Sequence, residues 1–216
     1  MRPLAVIRGP SQGLRTTPSL PSQEPKWRSR RRIRVSSFSV DIRIRLELPA
    51  DISASQEVVA AAFGRRGEAV PNLLLDMRNS SAWRDLSFVA EVEGRIVGHV
   101  AYTRGWVDAP SQLVEVLILS PMSVHPDFQR QGVGRRLIGE SIATLTTPLV
   151  FLEGDPAYYS KLGFVSACAL GFLRPSDRIP EPAFQVIRLA AYEPWMSGRL
   201  VYPDVFWRHD CVGLRG

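Results

Sequence analysis

The chain has 216 residues, of which 45% are hydrophobic and 22% charged, and its formal net charge is +6. This length and composition suffice for one substantial core and require no second domain. Two cysteines exclude a disulfide framework, and neither has neighbours at metal-ligand spacing, so we expect no metal and a reducing, cytoplasmic location. No apolar run is long enough to span a membrane, so we expect no membrane partner.

The positive charge is concentrated in residues 1–39. These contain nine Lys and Arg residues against one Glu, whereas residues 40–216 contain 18 basic and 20 acidic residues. With five prolines and seven serines, the segment buries too little apolar surface to offset chain entropy, so we expect an extension without a fixed fold. A nucleic-acid or acidic-surface arm, an organelle transit peptide and an upstream extension from a misassigned start codon all fit, and we favour the last. We expect residues 40–216 to form one domain without a nucleic-acid partner.

The domain opens with one strand and two helices. Residues 40–49 alternate apolar and polar side chains, as a half-buried strand does. A helix is predicted over residues 54–65, with Asp51 or Ser53 as its cap, and a second, shorter helix around residues 71–77.

Three antiparallel strands are predicted next. Residues 86–92 and 95–106 form a hairpin joined by a Glu-Gly turn, and residues 112–120 form the third strand. Pro121 follows. Because proline has no N–H to give to a sheet ladder, we expect a bulge or a splayed strand there, with free backbone donors just beyond it.

The stretch QRQGVG, residues 129–134, leads into a helical pattern. Its two glycines allow the main chain to approach a ligand closely. The apolar residues that recur at helical spacing are Val133, Leu137, Ile138, Ile142 and Leu145. A helix that begins in such a loop presents unpaired N–H groups and the positive end of its dipole, which favour a phosphate. No Lys-Ser/Thr pair follows the glycines, and Leu137 replaces the third glycine of a dinucleotide fingerprint, so both of those phosphate loops are excluded.

The remaining elements are short. Residues 148–154 are a nearly continuous apolar run that predicts a buried strand parallel to the preceding one. GDPAYYSKLGF, residues 154–164, predicts a short helix ended by a glycine cap. Residues 164–169 and 184–189 predict closing strands, and residues 191–216 predict an irregular extension packed over the sheet.

Two of these blocks resemble the acetyl-CoA-binding region of the GNAT superfamily of N-acetyltransferases. The first is QxxGxG, formed by Gln129, Gly132 and Gly134 and preceded by Val-His-Pro. The second is residues 154–164, whose Gly-Asp-Pro opening is similar to the YhbS-type predicted acetyltransferases. The resemblance extends from about residue 40 to the end. It implies an α/β fold with a mixed, mostly antiparallel central sheet, whose parallel middle strands splay apart and whose faces carry helices.

The resemblance also implies a function. Acetyl-CoA would be the co-substrate, and the acetyl group would pass to the amine of a small molecule or peptide by direct attack on the thioester; a non-catalytic acyl-CoA-binding module is the alternative. The family also allows a homodimer. The N–H groups of residues 122–124 would serve the pantetheine arm and the thioester oxygen, and the loop would hold the pyrophosphate. The expected acetyl-CoA contacts are Met122, Ser123, Val124, Gln129, Arg130, Gln131, Gly132, Val133, Gly134 and Arg135.

Acetyl transfer also needs proton transfer, because an amine with a pKa near 10 is mostly protonated at neutral pH. Glu115 resembles the family's usual carboxylate position and is the expected base; an edge-facing surface glutamate is the alternative interpretation. Glu153, at the end of its strand, is another candidate, whereas His125 before proline is more typical of a structural turn. Tyr159 matches the tyrosine that commonly protonates the departing thiolate in this family; a core aromatic is the alternative.

Overall fold

The computed structural model describes residues 41–64 and 69–213. The expected extension, residues 1–39, lies outside the described residues. The strands are β1 (Ile42–Leu46), β2 (Trp83–Val92), β3 (Arg95–Asp108), β4 (Leu113–Val124), β5 (Leu149–Glu153), β6 (Val165–Ser166), β7 (Phe184–Arg188) and β8 (Arg199–Val201). The α-helices are α1 (Ile52–Phe63), α2 (Ala69–Arg78), α3 (Val133–Ile142), α4 (Pro156–Tyr159) and α5 (Asp204–Arg208).

All eight of these strands belong to one sheet. Its order is β1-β2-β3-β4-β5-β7-β6, and β8 pairs with the far end of β3. Every pairing between these strands is antiparallel except that of β4 with β5. The predicted mixed sheet with a parallel middle pair is therefore confirmed. Within residues 41–64 and 69–213, no helix combines the length and the hydropathy needed to cross a membrane.

The predicted bulge beside Pro121 is present. In the β3–β4 ladder, Tyr102 pairs with Leu119 and Val100 pairs with Met122. Two residues of β4 therefore stand opposite one residue of β3, which is the definition of a bulge. The strand does not end there, as the sequence suggested, but continues to Val124 because β3 still supplies a partner.

Helices cover both faces of the sheet. Along β2, Phe88 packs in the same cluster as Leu137 of α3, whereas the next residue, Val89, packs with Val58 of α1. Successive strand residues point to opposite faces, so α1 and α3 lie on opposite sides of the sheet. Of the apolar stripe predicted for α3, Val133, Leu137 and Ile138 are buried, whereas Ile142 and Leu145 are half-buried and Leu145 lies beyond the end of the helix. The inner side of α2 is also buried.

A buried ion pair joins Glu47, the residue after β1, to Arg78 of α2. Both oxygens of Glu47 lie 2.7 Å from guanidinium nitrogens of Arg78, and the Glu47 side chain is 2% exposed. The ring of His99 and the hydroxyl of Ser87 also face this carboxylate. Burial raises the pKa of Glu47, but the nearby His99 ring and the contacts from Arg78 outweigh burial and hold it well below its ordinary value. The carboxylate is therefore ionised at neutral pH.

The chain end differs from its prediction. Instead of an irregular extension alone, residues 199–213 contain a strand and a helix, and β8 pairs with Trp106, Val107 and Asp108 of β3. A three-residue strand carries too little alternation to be detected in a sequence. This segment, called here the C-terminal segment, brings side chains to the site described next.

Candidate active site

The site lies where β4 and β5 separate. These strands pair only at two positions, Leu117 with Val150 and Ile118 with Phe151. Beyond them, β4 remains paired with β3, and β5 remains paired with β7. The parallel strands therefore diverge and leave a wedge between their facing edges.

Two amides of β4 face this wedge. The N–H of His125 donates to the Val97 carbonyl of β3 at 2.8 Å. In an antiparallel ladder, successive residues direct their N–H groups alternately to the two sides. The N–H groups of Met122 and Val124 therefore point away from β3 and towards the wedge, whereas that of Ser123 points towards β3. The Ser123 hydroxyl is buried and lacks a hydrogen-bond partner among the described residues.

The glycine loop is fixed next to the end of β4. Gln129 Nε2 donates to the Val124 carbonyl at 3.0 Å, and Gln131 Nε2 donates to the Asp127 carbonyl at 2.9 Å. Gly132, with a φ of 87°, lies immediately before the buried Val133 that begins α3. Such a positive φ strains any residue that carries a Cβ. The two glutamines thus hold the loop in place. The first-turn N–H groups of α3, which have no acceptor within the helix, point towards the loop side of the helix start.

Arg130 and Arg135 place charge around this loop. Both are exposed, and neither forms an ion pair with a described residue, unlike Arg136, which pairs with Glu140 at 2.8 Å. Two free guanidinium groups beside a helix start are suited to a phosphate group.

Tyr158 is a neighbour of the loop that the sequence analysis did not identify. A Cβ built on Gly134 would lie 2.7 Å from the Tyr158 hydroxyl, so that hydroxyl is in direct contact with the start of α3. The sequence indicated a possible role for Tyr158 only through its position in the second sequence block, next to Tyr159.

A small cavity occupies the wedge. It is lined by Ile118, Leu119, Ser120, Met122, Glu153, Tyr159, Tyr202, Phe206 and Cys211. The cavity thus brings together Met122 and Tyr159, which were predicted as site residues, and Glu153, which was the second candidate base. The last three residues come from the C-terminal segment, and nothing in its irregular sequence pattern indicated a site.

Glu153 has the environment of a base that works near neutral pH. Its side chain is 8% exposed, and Oε2 accepts a hydrogen bond from the Gly213 N–H at 3.1 Å. Burial raises its pKa to about 7, although the Gly213 N–H, the Tyr202 hydroxyl and the charge of Arg178 act in the opposite direction. A carboxylate with this pKa can accept a proton at pH 7 and release it again to solvent.

Tyr159 is almost fully buried in the cavity wall. Its ring packs edge-on against Tyr158 and Phe164, with centroid separations of 5.0 and 5.7 Å. Burial, together with the neighbouring Tyr158 and Tyr102, raises the pKa of Tyr159 well above its ordinary value. The hydroxyl therefore keeps its proton at neutral pH.

Glu115 lies outside this cavity. It precedes the two residue pairs that join β4 to β5, and its carboxylate faces Arg84, with Oε1 3.0 Å from Nε. Its side chain is 46% exposed. His125 occupies a turn, where Nδ1 accepts from the Asp127 N–H at 3.4 Å and the ring packs against Phe128. Across the described chain, no three His, Cys, Asp or Glu side chains are grouped as metal ligands would be.

The sequence of the chain matches known proteins. A model of the acetyltransferase (GNAT) domain matches residues 83–166. The chain is 38% identical over 120 residues to the uncharacterized N-acetyltransferase YjhQ of Escherichia coli, covering 53% of this chain and 65% of YjhQ. It is 33% identical over 151 residues to the uncharacterized N-acetyltransferase YhbS of the same organism, covering 68% of this chain and 87% of YhbS.

The fold matches solved structures of the same kind. The Escherichia coli YhbS structure, in complex with CoA, has a TM-score of 0.70 and 28% identity, covering 78% of this chain and 93% of YhbS. A GNAT family acetyltransferase from Brucella melitensis, in complex with acetyl-CoA, has a TM-score of 0.61 and 26% identity, covering 77% of this chain and 99% of that protein. With the divided sheet, the glycine loop and both sequence matches in agreement, the chain belongs to the GNAT family of N-acetyltransferases.

Proposed function

We propose that the protein transfers the acetyl group of acetyl-CoA to a primary amine by direct attack of the amine on the thioester. The observation that carries this proposal is the wedge between β4 and β5, with a buried carboxylate and a buried phenol on its walls. Two similar GNAT structures hold CoA or acetyl-CoA, and this chain offers suitable groups to the same molecule.

The proposed acetyl-CoA site extends from the wedge to the start of α3. The N–H groups of Met122 and Val124 would pair with the pantetheine arm and receive the thioester oxygen as it gains charge. The N–H groups of residues 130–135 and the free guanidinium groups of Arg130 and Arg135 would hold the pyrophosphate. The loop would be shaped by Gln129, Gln131, Gly132, Val133 and Gly134. Ser123, whose N–H points towards β3, would lie on the side of β4 away from the pantetheine arm.

We propose Glu153, and not Glu115, as the base. Glu153 lines the cavity and has a pKa near the operating pH, whereas Glu115 is exposed, paired with Arg84 and outside the cavity. The Glu153 carboxylate would take a proton from the bound ammonium group, so that the neutral amine attacks the thioester carbon and the C–N bond forms. The C–S bond then breaks, the CoA thiolate would take a proton from the hydroxyl of Tyr159, and the second proton lost by the nitrogen would return to Tyr159.

The loop assignment is tested by Gly134→Asp. The new carboxylate would stand beside the Tyr158 hydroxyl and repel the pyrophosphate, so acetyl-CoA should no longer raise the melting temperature. The matched control is Gly139→Asp in the same helix, because Gly139 is exposed with nothing within 4 Å of a built Cβ. That protein should bind acetyl-CoA as the parent does.

Release of the CoA thiol is then measured with the parent protein, acetyl-CoA and a panel of primary amines. Turnover that depends on the amine supports the proposal. A Gly134→Asp protein that binds acetyl-CoA as tightly as the parent contradicts the loop assignment. Tight acetyl-CoA binding without turnover of any amine would instead identify a non-catalytic acyl-CoA-binding module.

A further inference from the structure

Tyr158 takes no part in the proposed proton transfers, yet its side chain reaches the glycine loop. It lies in α4 next to Tyr159, and its ring packs edge-on against the Tyr159 ring with a centroid separation of 5.0 Å. The helix is capped by Asp155, whose side chain accepts a hydrogen bond from the Ala157 N–H at 2.8 Å. The cap and the ring packing together hold the Tyr158 hydroxyl in its position.

That hydroxyl lies where the wedge meets the glycine loop. A Cβ built on Gly134 would lie 2.7 Å from the Tyr158 hydroxyl, 3.5 Å from Cγ2 of Val124 and 3.7 Å from Sδ of Met122. Gly134 belongs to the first turn of α3, whereas Met122 and Val124 are the residues whose N–H groups face the wedge. The phenol oxygen is therefore adjacent to both parts of the proposed acetyl-CoA site.

This contact also accounts for the second glycine of the loop. Gly132 has a positive φ, but Gly134 does not, so the backbone conformation at Gly134 suits any residue. A side chain at this position would instead collide with the Tyr158 hydroxyl. The missing Cβ of Gly134 thus leaves the space that the hydroxyl occupies at the start of α3.

The Tyr158 hydroxyl is a free hydrogen-bond donor. It forms no hydrogen bond with any residue in the described ranges, whereas the hydroxyl of Tyr102, in the same hydrophobic cluster, lies 2.7 Å from Oγ of Ser141. Burial raises the pKa of Tyr158, so the phenol keeps its proton at neutral pH. Because the side chain is only half-buried, a ligand in the wedge can reach it.

An anionic oxygen is the acceptor that suits this donor. The exposed guanidinium groups of Arg130 and Arg135 and the first-turn N–H groups of α3 place positive charge at the same end of the wedge. Hydrogen bonds to charged acceptors are stronger than those to neutral ones. In acetyl-CoA, the pantetheine arm ends on one phosphate of the pyrophosphate, and this phosphate would lie between the groups that bind the arm and those of the loop.

We infer that the Tyr158 hydroxyl donates a hydrogen bond to the phosphate that joins the pantetheine arm to the rest of acetyl-CoA, and so positions the arm at the entrance of the wedge. The inference rests on the proposed function, because that function places acetyl-CoA there. Tyr158 is then a binding and positioning residue that exchanges no proton with the reacting atoms.

The test uses Tyr158→Phe, which removes one oxygen and keeps the ring. In calorimetric titrations of the full-length protein, the Kd for acetyl-CoA should rise about tenfold, because a hydrogen bond to a charged group is lost. S-acetylphosphopantetheine, which ends at the phosphate, should show the same rise, and S-acetylpantetheine, which lacks the phosphate, should show none. Tyr192→Phe is the matched control, since Tyr192 is a half-buried tyrosine outside the cavity whose ring packs beside Arg188. It should bind all three thioesters as the parent does.

Gly134→Ala provides a second, independent test. The new methyl group would displace the Tyr158 hydroxyl, so the Kd for acetyl-CoA should rise about tenfold when Gly134→Ala is made in the parent. The same substitution should have little effect in Tyr158→Phe, where the oxygen is already absent. Two residues in direct contact are expected to show such non-additive effects.

The outcomes separate this inference from the proposed function. A parent protein that does not bind acetyl-CoA would overturn both. Acetyl-CoA binding as tight as the parent's in a folded Tyr158→Phe protein would overturn the inference and leave acetyl transfer intact. Equal losses for the two short thioesters would also overturn it, since the hydroxyl would then contact the arm itself, as would a loss confined to acetyl-CoA.

Discussion

The Glu153 carboxyl group lies where water is largely excluded. Its raised pKa would favour its proposed role as a base but lowers the stability of the folded chain at neutral pH. Its pKa is about 7 in the folded chain, against an ordinary value of 4.5. Below pH 4.5 both the folded and the unfolded chain hold the proton. Between pH 4.5 and 7 the unfolded chain releases its proton first, so the folded state loses stability as the pH rises, and the loss is complete above pH 7.

Glu153→Gln should therefore stabilise the protein and inactivate it. Glutamine keeps an oxygen for the Gly213 N–H but carries no charge, so the free energy of unfolding above pH 7 should rise by up to about 3 kcal/mol. The gain should vanish near pH 4. Acetyl transfer should fall by about 10² to 10⁴. Melting temperatures at pH 4 and 8 and kcat/KM from pH 5 to 9 test both effects.

In the parent, kcat/KM should show an inflection near pH 7 that Glu153→Gln lacks. A Glu153→Gln protein with the parent's activity and pH profile would place the base elsewhere, and Glu115→Gln would be the next variant to measure. Arg84→Met is a suitable control, since it alters the surface partner of Glu115 and not the cavity.

The contrast between the two glutamates could be read in part from the sequence. Glu115 stands between Val114 and Val116 in an alternating stretch, which predicts an outward side chain, and it is exposed. Glu153 ends a continuous apolar run, which predicts burial, and it is buried. The family resemblance favours Glu115, whereas the folded chain brings Glu153 to the cavity.

At the scale of elements, the strongest local signals gave correct predictions. The hairpin of β2 and β3 turns at Glu93 and Gly94, which both have positive φ, as a two-residue Glu-Gly turn requires. Val133, Leu137 and Ile138 of the α3 stripe are buried because their spacing matches one helical face. The pairing of β8 with β3 could not be predicted, because it links residues almost a hundred positions apart through three residue pairs.

The Glu47–Arg78 pair predicts a strong coupling between β1 and α2. Arg78→Met should leave the buried Glu47 carboxylate without the guanidinium group that contacts both of its oxygens, at a cost of about 3–5 kcal/mol in the free energy of unfolding. Because the pKa of Glu47 is lowered in the folded state, the stability that it contributes is present above its ordinary pKa and lost as the pH falls.

Arg84→Met is the matched comparison for this effect. Arg84 also pairs with a glutamate, but the pair is exposed, with side chains 29% and 46% accessible, so its loss should cost less than about 1 kcal/mol. Urea unfolding of the two variants and the parent measures both values. Equal costs would show that burial of Glu47 does not set the strength of its pair.

At the scale of the whole molecule, the order of strands follows from local rules that the sequence carries. Neighbouring antiparallel strands with short turns account for β2 to β4, whereas β1 reaches β2 through α1 and α2. A helix between two apolar strands accounts for the parallel pair of β4 and β5. The C-terminal part of the cavity wall could not be predicted in this way, since Tyr202, Phe206 and Cys211 reach the cavity only through the long-range docking of the C-terminal segment.

The two residue pairs between β4 and β5 also determine how the sheet should respond to a ligand. Within the described chain, these pairs are the only pairing of strands across the wedge; elsewhere the two sides are joined by the bridge of Leu173 to Arg199 of β8. A pantetheine arm bonded to the Met122 and Val124 amides would act as a partial strand inserted at an open edge. It would supply the ladder contacts that the protein itself lacks.

Amide hydrogen exchange should reveal this effect. With acetyl-CoA at about 100 times its Kd, exchange at Met122, Val124 and the amides of β5 should slow by up to about 100-fold. Gly134→Asp, with its binding loop blocked, should show no slowing under the same conditions. Unchanged exchange in the parent would mean that acetyl-CoA does not enter the wedge. Under the proposed function, the divided sheet would thus make acetyl-CoA a structural member as well as a reactant, because the open edge of β4 would gain a hydrogen-bonded neighbour only while acetyl-CoA is bound.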